Sequence, residues 1–232
     1  MKTIGVLGGM SWESTLNYYR LLNEGVNAHL GGFHSAPICL VSVDFAEIEA
    51  LQRAGDWESA GERLAAAARQ VQAGGADFLL IATNTMHRVA AEIEAAIDIP
   101  LVHIADATGE RLKADGVSRV GLLGTRFTME QAFYRDRLYE GFGIDVVIPD
   151  EPGRQIVHDI IFSELVHGTI EDASRERFLA IIDDLRAQGA EAVILGCTEI
   201  SMLIQQSHTA MPLYDTTELH VQAALDFAQK AG

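Results

Sequence analysis

The chain has 232 residues, of which 48% are hydrophobic and 22% charged, a balance that is ordinary for a globular protein with a sizeable core. Its formal net charge of −16 argues against nucleic acids and anionic membranes as partners, because both would be repelled. No run approaches the roughly 18 apolar residues of a membrane span, and the first apolar run is too short for a signal peptide. We therefore expect a cytoplasmic protein.

Along the chain, short β-branched or leucine-rich runs alternate with longer helical patterns. This alternation is typical of βαβ units with a parallel sheet, and several runs are apolar on both faces, as expected for strands covered by helices. Strands are predicted at residues 3–7, 37–43, 77–82, 100–104, 119–123, 144–148, 191–196 and 212–214. Helices are predicted near residues 13–29, 56–73, 85–97, 106–114, 129–141, 153–167, 173–187, 199–206 and 215–230.

Two parts of the chain look like copies of each other. Residues 76–85 align with residues 190–199 at an offset of 114 positions, and residues 4–9 align with residues 120–125 at an offset of 116. Recurrence of two strand-to-loop units at matched spacing indicates an internal duplication. The predicted fold is therefore α/β with two similar lobes, each a parallel sheet flanked by helices, and with the active site in the cleft between them.

The lobe boundaries follow from the same duplication. The first lobe is predicted over residues 1–105 and the second over residues 106–210. We expect the last strand and helix, from Met211 onward, to return to the first lobe. Ligands of open α/β sheets bind beyond the carboxyl ends of the strands, and four polar or glycine-rich clusters follow predicted strands here. These clusters are residues 8–11, 83–85, 124–125 and 197–199.

Cys197 is the strongest candidate for chemistry in the second copy. It follows an apolar strand and Gly196, and a helix is predicted to begin directly after it. A thiol at a helix N-terminus is favoured as the thiolate, so we expect Cys197 to act as a base. The other cysteine, Cys39, sits in the middle of a strand and is interpreted as core. The two cysteines have no spacing typical of a disulfide framework or a zinc site, and we predict no metal site.

Thr83 occupies the position in the first copy that Cys197 holds in the second. Asn84 and Thr85 follow at the start of the next helix and offer donors to a carboxylate. His87 lies one helical turn beyond Thr83 and could reach back to it.

The glycine-rich segment of residues 8–11 lacks the third glycine of a dinucleotide fingerprint and the Gly-Lys-Ser/Thr of a P-loop. Its predicted use is close backbone approach to a small anion, with the amides of Met10 and Ser11 as donors.

Three motifs together resemble the aspartate/glutamate racemase family, whose members racemise amino acids without pyridoxal phosphate. They are Gly-Gly-Met-Ser-Trp at residues 8–12, Asn-Thr-Met-His at residues 84–87 and Gly-Cys-Thr-Glu at residues 196–199. The resemblance covers essentially the whole chain. It implies an isomerase that uses no cofactor, with one cysteine per lobe on either side of the substrate. On this chain those two positions are 83 and 197. It also implies a homodimer.

The chain departs from the family pattern at Thr83, where the pattern has cysteine. A free thiol has a pKa of about 8.5, whereas the pKa of a hydroxyl is far higher and closer to that of water, and the gap corresponds to roughly 10 kcal/mol. The Thr83 hydroxyl is therefore not ionised in the resting enzyme, but it can donate a proton to a carbanion. The expected assignment is Cys197 as base and Thr83 as acid. In related glutamate racemases the second-lobe cysteine serves the L-enantiomer, which implies faster L-to-D turnover.

Two further positions resemble family segments near the substrate side chain. Gln52 lies in one of them, and its neutral amide matches a distal carboxylate less well than arginine would. Glu164 lies in the other, where a carboxylate opposes an acidic side chain and suits a polar or amine-bearing one. The expected substrates are aspartate, glutamate or a broader range of amino acids. The predicted substrate-binding residues are Met10, Ser11, Gln52, Asn84, Thr85, Thr125, Glu164, Thr198 and Glu199.

Two alternatives stay open at the level of sequence. Relatives with a single active cysteine include cofactor-free decarboxylases of malonate-type substrates, in which the thiol only reprotonates an enolate, and Thr83 is compatible with that reaction. A non-catalytic amino-acid-binding relative is the other alternative, because one of the two bases is missing.

Overall fold

The computed structural model describes residues 1–230 and contains two compact units. One unit comprises residues 1–104 together with the chain from His220 onward, and the other comprises residues 105–219. Each holds its own parallel sheet flanked by helices, which confirms the predicted fold class. The strands are β1 (Ile4–Gly8), β2 (Ile38–Ser42), β3 (Phe78–Ile81), β4 (Arg119–Leu123), β5 (Asp145–Val147), β6 (Ala192–Leu195) and β7 (Leu213–Asp215).

The helices occupy the connections between the strands, as parallel pairing requires. Short 3₁₀ turns at Thr85–Val89, Leu165–His167 and Gln206–His208 add to them. The α-helices are α1 (Trp12–Leu30), α2 (Phe45–Ala54), α3 (Trp57–Ala73), α4 (Ala90–Glu94), α5 (Ile104–Ala114), α6 (Arg126–Glu130), α7 (Ala132–Phe142), α8 (Glu151–Ser163), α9 (Asp172–Ala187), α10 (Ile200–Leu203) and α11 (Thr216–Gln229).

The first unit is built on a sheet of strand order β2-β1-β3, with Ile4 of the central strand opposite Ile38 and Phe78. Side chains alternate between the two faces of a strand, so a sheet covered on both faces needs apolar residues at every position. Two apolar clusters result. One packs Leu79 and Ile81 against α3, and the other packs Phe78 and Leu80 against α1 and α11.

The second unit is built on a sheet of strand order β5-β4-β6-β7. Strand β6 is fully buried, and Val193, Ile194 and Leu195 pair with β4 on one side and with β7 on the other. The carboxyl ends of β4, β6 and β7 therefore share one edge of this sheet, which collects the residues that follow them.

Helix α3 agrees with its predicted limits because its end signals are local. Asp56 accepts a hydrogen bond from the backbone N–H of Ser59 at 3.1 Å and so satisfies a free amide of the first turn, and Gly74 follows the last residue.

Among the differences from the prediction are two predicted elements and one helix that was not predicted. The strand predicted at residues 100–104 is reduced to one bridge between Leu101 and Leu79, because α5 already begins at Ile104. Helix α2 was not predicted, although Asp44 caps it by accepting from the N–H of Ala46. The helix predicted over residues 85–97 is a 3₁₀ turn followed by the short α4.

The chain from Met211 does not return to the first lobe as a whole, so that expectation is wrong for its strand. β7 pairs with β6, with Asp215 opposite Leu195 and Leu213 opposite Val193, and therefore extends the second sheet. The first unit includes the chain only from His220 onward, within α11. A short apolar strand pairs equally well with either buried parallel sheet, so its position in the sequence does not select one.

Candidate active site

At the carboxyl end of β1 the backbone turns so tightly that only glycine fits. Gly9 has a φ of +91°, and a Cβ atom there would lie 2.2 Å from the carbonyl oxygen of Val43. The Gly9 amide donates to Oγ1 of Thr15 at 2.8 Å, which holds the turn against α1. The turn leads directly into Met10, whose side chain is buried, and Ser11.

Ser11 is the N-cap residue of helix α1. Its Oγ accepts from the Ser14 amide at 3.2 Å, and the Ser14 hydroxyl donates to the carbonyl oxygen of Ala82 at 3.0 Å. Ala82 directly precedes Thr83. The first unit thus brings the predicted residues Met10 and Ser11 close to the end of β3.

Thr83 lies at the end of β3, half-buried, and its amide donates to the carbonyl oxygen of Ile81 at 2.8 Å. Asn84 and Thr85 follow and are buried, with exposed fractions of 5% and 8%. The His87 ring reaches back, with Nδ1 2.8 Å from the carbonyl oxygen of Thr83. The first unit therefore collects five predicted residues, Met10, Ser11, Thr83, Asn84 and Thr85, and one histidine around a single strand end.

In the second unit, Gly196 lets the ends of neighbouring strands approach closely. The Gly196 amide donates to the Leu123 carbonyl at 2.7 Å, and a Cβ atom on Gly196 would lie 2.9 Å from that same oxygen. Thr125 follows β4 and caps α6 by accepting from the Thr128 amide at 3.4 Å. Cys197 follows β6 at the same edge of the sheet.

Cys197 forms a compact cluster with the two residues that follow it. Its half-buried thiol donates to Oε2 of Glu199 at 3.0 Å, and the Thr198 hydroxyl donates to the same oxygen at 2.6 Å. Glu199 is buried, with an exposed fraction of 8%. A carboxylate that accepts from a thiol is arranged to take the thiol proton.

The structure does not support the expectation that a helix N-terminus holds Cys197 as a thiolate. Helix α10 is only four residues long, so its dipole is small. The pKa of Cys197 is raised well above its usual value, first because of burial and then because of the carboxylate of Glu199, with a further contribution from Asp215. Cys197 therefore rests as a neutral thiol and needs an acceptor to become a base.

Asp215 lies at the same edge of the second sheet as Cys197, and the sequence analysis did not identify it. It ends β7, and its carboxylate accepts from the amides of Thr217 at 2.8 Å and Glu218 at 3.3 Å. Burial raises the pKa of Asp215, while these hydrogen bonds oppose the rise. An aspartate followed by two threonines at a strand end is a helix-cap pattern, which was the available signal.

The two residues predicted to face the substrate side chain lie on different elements. Gln52 is on α2 in the first unit and is buried. Glu164 follows α8 in the second unit, and its Oε2 atom is buried with no hydrogen-bond partner within residues 1–230. The 3₁₀ turn directly after Glu164 packs against α10, the helix that follows Glu199.

Within residues 1–230, no helix is long and apolar enough to cross a membrane. The same residues contain no group of three or more His, Cys, Asp or Glu side chains placed to hold a metal ion.

Residues 7–224 match the protein family described as Asp/Glu/Hydantoin racemase. The chain belongs to this family. Two solved structures of racemase relatives have the same fold over nearly the whole chain. A candidate Asp/Glu racemase from Yersinia pestis is 50% identical with a TM-score of 0.94, covering 99% of this chain and 100% of that one. An aspartate racemase homologue from Pyrococcus horikoshii OT3 is 33% identical with a TM-score of 0.88 and the same coverage.

Among curated racemases, the broad specificity amino-acid racemase RacX of Bacillus subtilis is 24% identical over 143 residues. That match covers 62% of this chain and 61% of RacX, which is less than two thirds of its length. The family and structural matches identify this chain as an isomerase of the racemase type. They agree with the resemblance seen in the three sequence motifs.

Proposed function

We propose that this racemase acts on amino acids without a cofactor, with Cys197 as the base and Thr83 as the proton donor on the opposite face of the α-carbon. The observation that carries the proposal is the hydrogen bond from the Cys197 thiol to Glu199 at 3.0 Å. It supplies the half-buried thiol with a proton acceptor at the strand edge that the family motifs mark. The proposed direction of faster turnover is L to D.

In the proposed L-to-D reaction, the Cys197 proton first moves to Glu199. The thiolate then takes the α-proton, and the electron pair of the broken C–H bond stays on the α-carbon, delocalised into the substrate carboxyl group. The Thr83 hydroxyl gives its proton to the other face of the α-carbon. The resulting alkoxide takes a proton from solvent, and the Cys197–Glu199 pair, which now holds one extra proton, releases one to solvent. In reverse, Thr83 must act as the base, which costs roughly 10 kcal/mol more than for a thiol.

This asymmetry has a thermodynamic limit. Enantiomers have equal free energies in water, so kcat/KM must be equal in the two directions, even though kcat need not be. The proposal therefore predicts unequal kcat and KM values for the two enantiomers and an equilibrium mixture of both. A strictly one-way reaction is excluded.

The proposed substrate contacts lie around the two strand edges. Donors near the end of β3, on Asn84 and Thr85 and in the turn at Met10 and Ser11, suit the substrate carboxylate. In the second unit, Thr125, Thr198 and Glu199 are the proposed partners of the other polar groups of the substrate.

The substrate range is proposed to extend beyond aspartate and glutamate. Glu164 has a buried carboxylate oxygen without a partner in the described chain, and Gln52 is a neutral amide. A buried carboxylate oxygen is stabilised by a hydrogen-bond donor and opposed by a second carboxylate. Polar and amine-bearing side chains therefore fit these two residues better than acidic ones do.

A deuterium-exchange screen tests the reaction and its substrates together. The protein is incubated in D₂O with the L-forms of glutamate, aspartate, glutamine, homoserine and lysine, and α-exchange and chiral composition are followed. We expect exchange with at least one of them, and its loss in Cys197→Ser. Cys39→Ser is the matched control and keeps the activity. The Glu164 proposal fails if only aspartate and glutamate react and Glu164→Gln leaves their relative rates unchanged.

The same assay separates the two alternatives. Carbon dioxide release from a disubstituted malonate, with no α-exchange in any amino acid, would identify a decarboxylase. Saturable amino-acid binding without exchange would identify a binding protein. Either result would refute the racemase proposal.

The proposed assembly is a homodimer, and the cytoplasmic location stays a prediction from sequence. Helix α1 carries three exposed large apolar side chains on one face: Trp12, Leu16 and Tyr19 are 65%, 58% and 52% exposed. Light scattering of the wild type and of Leu16→Glu tests this. A dimer that the substitution dissociates supports the proposal, and a monomeric wild type contradicts it.

A further inference from the structure

The backbone carbonyl of Thr83 is hydrogen-bonded by a side chain rather than by a backbone amide. Residues Thr85–Val89 form a 3₁₀ turn, so the amide of His87 bonds to the Asn84 carbonyl at 3.2 Å, three residues back, rather than to Thr83. The Thr83 carbonyl oxygen lies instead 2.8 Å from Nδ1 of the His87 ring. The ring thus takes the place of the missing backbone donor.

The contact at Nε2 of His87 shows which of the two ring nitrogens carries the hydrogen. The amide of Ile104 donates to Nε2 at 3.3 Å, and a backbone amide can only donate. Nε2 must therefore accept, so the hydrogen is on Nδ1, which donates to Thr83. With one nitrogen donating and the other accepting, His87 is neutral and its orientation is fixed.

The ring of His87 is buried beside two other histidine rings. Its exposed fraction is 3%, and the rings of His103 and His220 lie 4.4 Å and 5.8 Å away between centroids, both buried. His220 is itself held on both sides, by the Tyr18 hydroxyl at 2.8 Å and the Val102 carbonyl at 2.7 Å. A closely packed interior allows little movement of a side chain bonded at both nitrogens.

We propose that His87 is a positioning residue for Thr83 in the racemisation reaction. The amide of Thr83 is bonded to Ile81 on one side, and its carbonyl is bonded to the His87 ring on the other. Together the two bonds set the direction of the Thr83 Cα–Cβ bond and hence the place of its hydroxyl. The inference rests on the proposed function, in which that hydroxyl protonates the carbanion. A displacement of about 1 Å at such a group can cost about 100-fold in rate.

The test measures two quantities in one reaction. L-Glutamate is the first probe, followed by any other amino acid that the exchange screen identifies, and the reaction runs in D₂O. Deuterium in the recovered L-form reports proton removal and return at Cys197. Deuterated D-product reports protonation from the Thr83 side. The ratio of D-product to exchanged L-substrate therefore isolates the step that His87 is proposed to support.

Two substitutions of similar size separate the two hydrogen bonds of the ring. His87→Asn keeps an amide N–H near the Nδ1 position, facing the Thr83 carbonyl, and loses the acceptor for Ile104. His87→Gln places its amide near the Nε2 position, where its oxygen accepts from Ile104, and loses the donor to Thr83. Each variant loses one buried hydrogen bond, so their stabilities are comparable. We expect the ratio to fall about 10-fold or more in His87→Gln and to stay within about 3-fold of wild type in His87→Asn.

The matched control is His220→Asn, which removes bonds of a neighbouring buried histidine but leaves the contact between His87 and Thr83. It should lower the thermal stability and leave the ratio unchanged. An unchanged ratio in His87→Gln would overturn the inference, as would equal ratios in the Asn and Gln variants.

Thr83→Ala distinguishes this failure from that of the proposed function. If Thr83→Ala lowers the ratio and His87→Gln does not, Thr83 acts without help from His87. If Thr83→Ala leaves the ratio unchanged, the assignment of Thr83 as proton donor is wrong and the inference about His87 falls with it.

Discussion

The polar clusters at the ends of β3 and β6 stand at equivalent positions of the duplication but differ in the group that supports the reactive side chain. Thr83 has its backbone carbonyl held by a neutral histidine, whereas the Cys197 thiol is held by the carboxylate of Glu199. Four residues on, the first copy has His87 and the second has Ser201, whose hydroxyl donates to the Thr198 carbonyl at 3.0 Å.

The two copies share the position of the proposed reactive residue and differ in the group that contacts it. A histidine that donates to a carbonyl can position its neighbour but cannot take a proton from it. A carboxylate can take the proton of a thiol. This difference agrees with the proposed roles, in which the second cluster removes a proton and the first gives one.

The largest expected effect comes from removing the thiol. Cys197→Ala should lower both α-exchange and racemisation by about 1,000-fold or more, because it removes the group proposed to take the α-proton. Cys39→Ala, which removes the Sγ contact with the Val71 carbonyl, is the control and should keep the activity. Residual exchange close to the wild-type rate in Cys197→Ala would show that Cys197 is not the base.

Glu199→Gln should have the next largest effect. It keeps the size of the side chain but removes the proton acceptor, so exchange should fall about 100-fold. The thiol must then lose its proton to solvent, and burial and Asp215 still raise the pKa of Cys197. The exchange rate of the variant should therefore keep rising with pH above the usual pKa of a thiol. A rate that matches wild type at neutral pH would contradict the role of Glu199.

The buried His220 should make the free energy of unfolding depend on pH. Burial lowers the pKa of His220 from 6.5 to about 4, so the folded state favours its neutral form. The stability that this provides is present above pH 6.5 and is lost as the pH falls towards 4. Between pH 7 and pH 5 the free energy of unfolding should decrease by about 2 kcal/mol.

Urea unfolding at the two pH values measures this decrease. His220→Asn should be less stable at pH 7 and should lose most of the difference between the two pH values. His29→Asn, at an exposed position, should retain that difference. Equal pH dependence in His220→Asn and wild type would show that His220 is not the source.

The smallest expected effect is a gain. Thr83→Cys should raise kcat in the D-to-L direction by about 10-fold or more, because a thiol ionises far more readily than a hydroxyl. In the variant, as in the wild type, kcat/KM must be equal for the two enantiomers, so any rise in kcat/KM from the D-enantiomer must also appear from the L-enantiomer. Chiral chromatography of reactions started from each enantiomer checks this. An unchanged D-to-L kcat would mean that the hydroxyl does not limit that direction.

Local signals account for the elements that sequence predicted well. The structure confirms the predicted strands β1, β3, β4 and β6 and the cap at Asp56. Each of these features depends only on residues that are neighbours in the sequence. The missed helix α2 is short, and its sequence mixes charged and apolar residues with one clear cap at Asp44. Short helices depend on packing for most of their stability, so sequence signals for them are weak.

The sequence by itself determined the duplication, the α/β class, the family and the residues at the strand ends, because strand periodicity and glycine turns act over a few residues. Only the tertiary structure decided which sheet receives β7 and that Asp215 therefore lies opposite Leu195, since strand pairing joins residues far apart in the chain. It also decided that Cys197 rests as a thiol and that His87 is neutral. Both states are set by burial and by hydrogen-bond partners, and these exist only once the chain has folded.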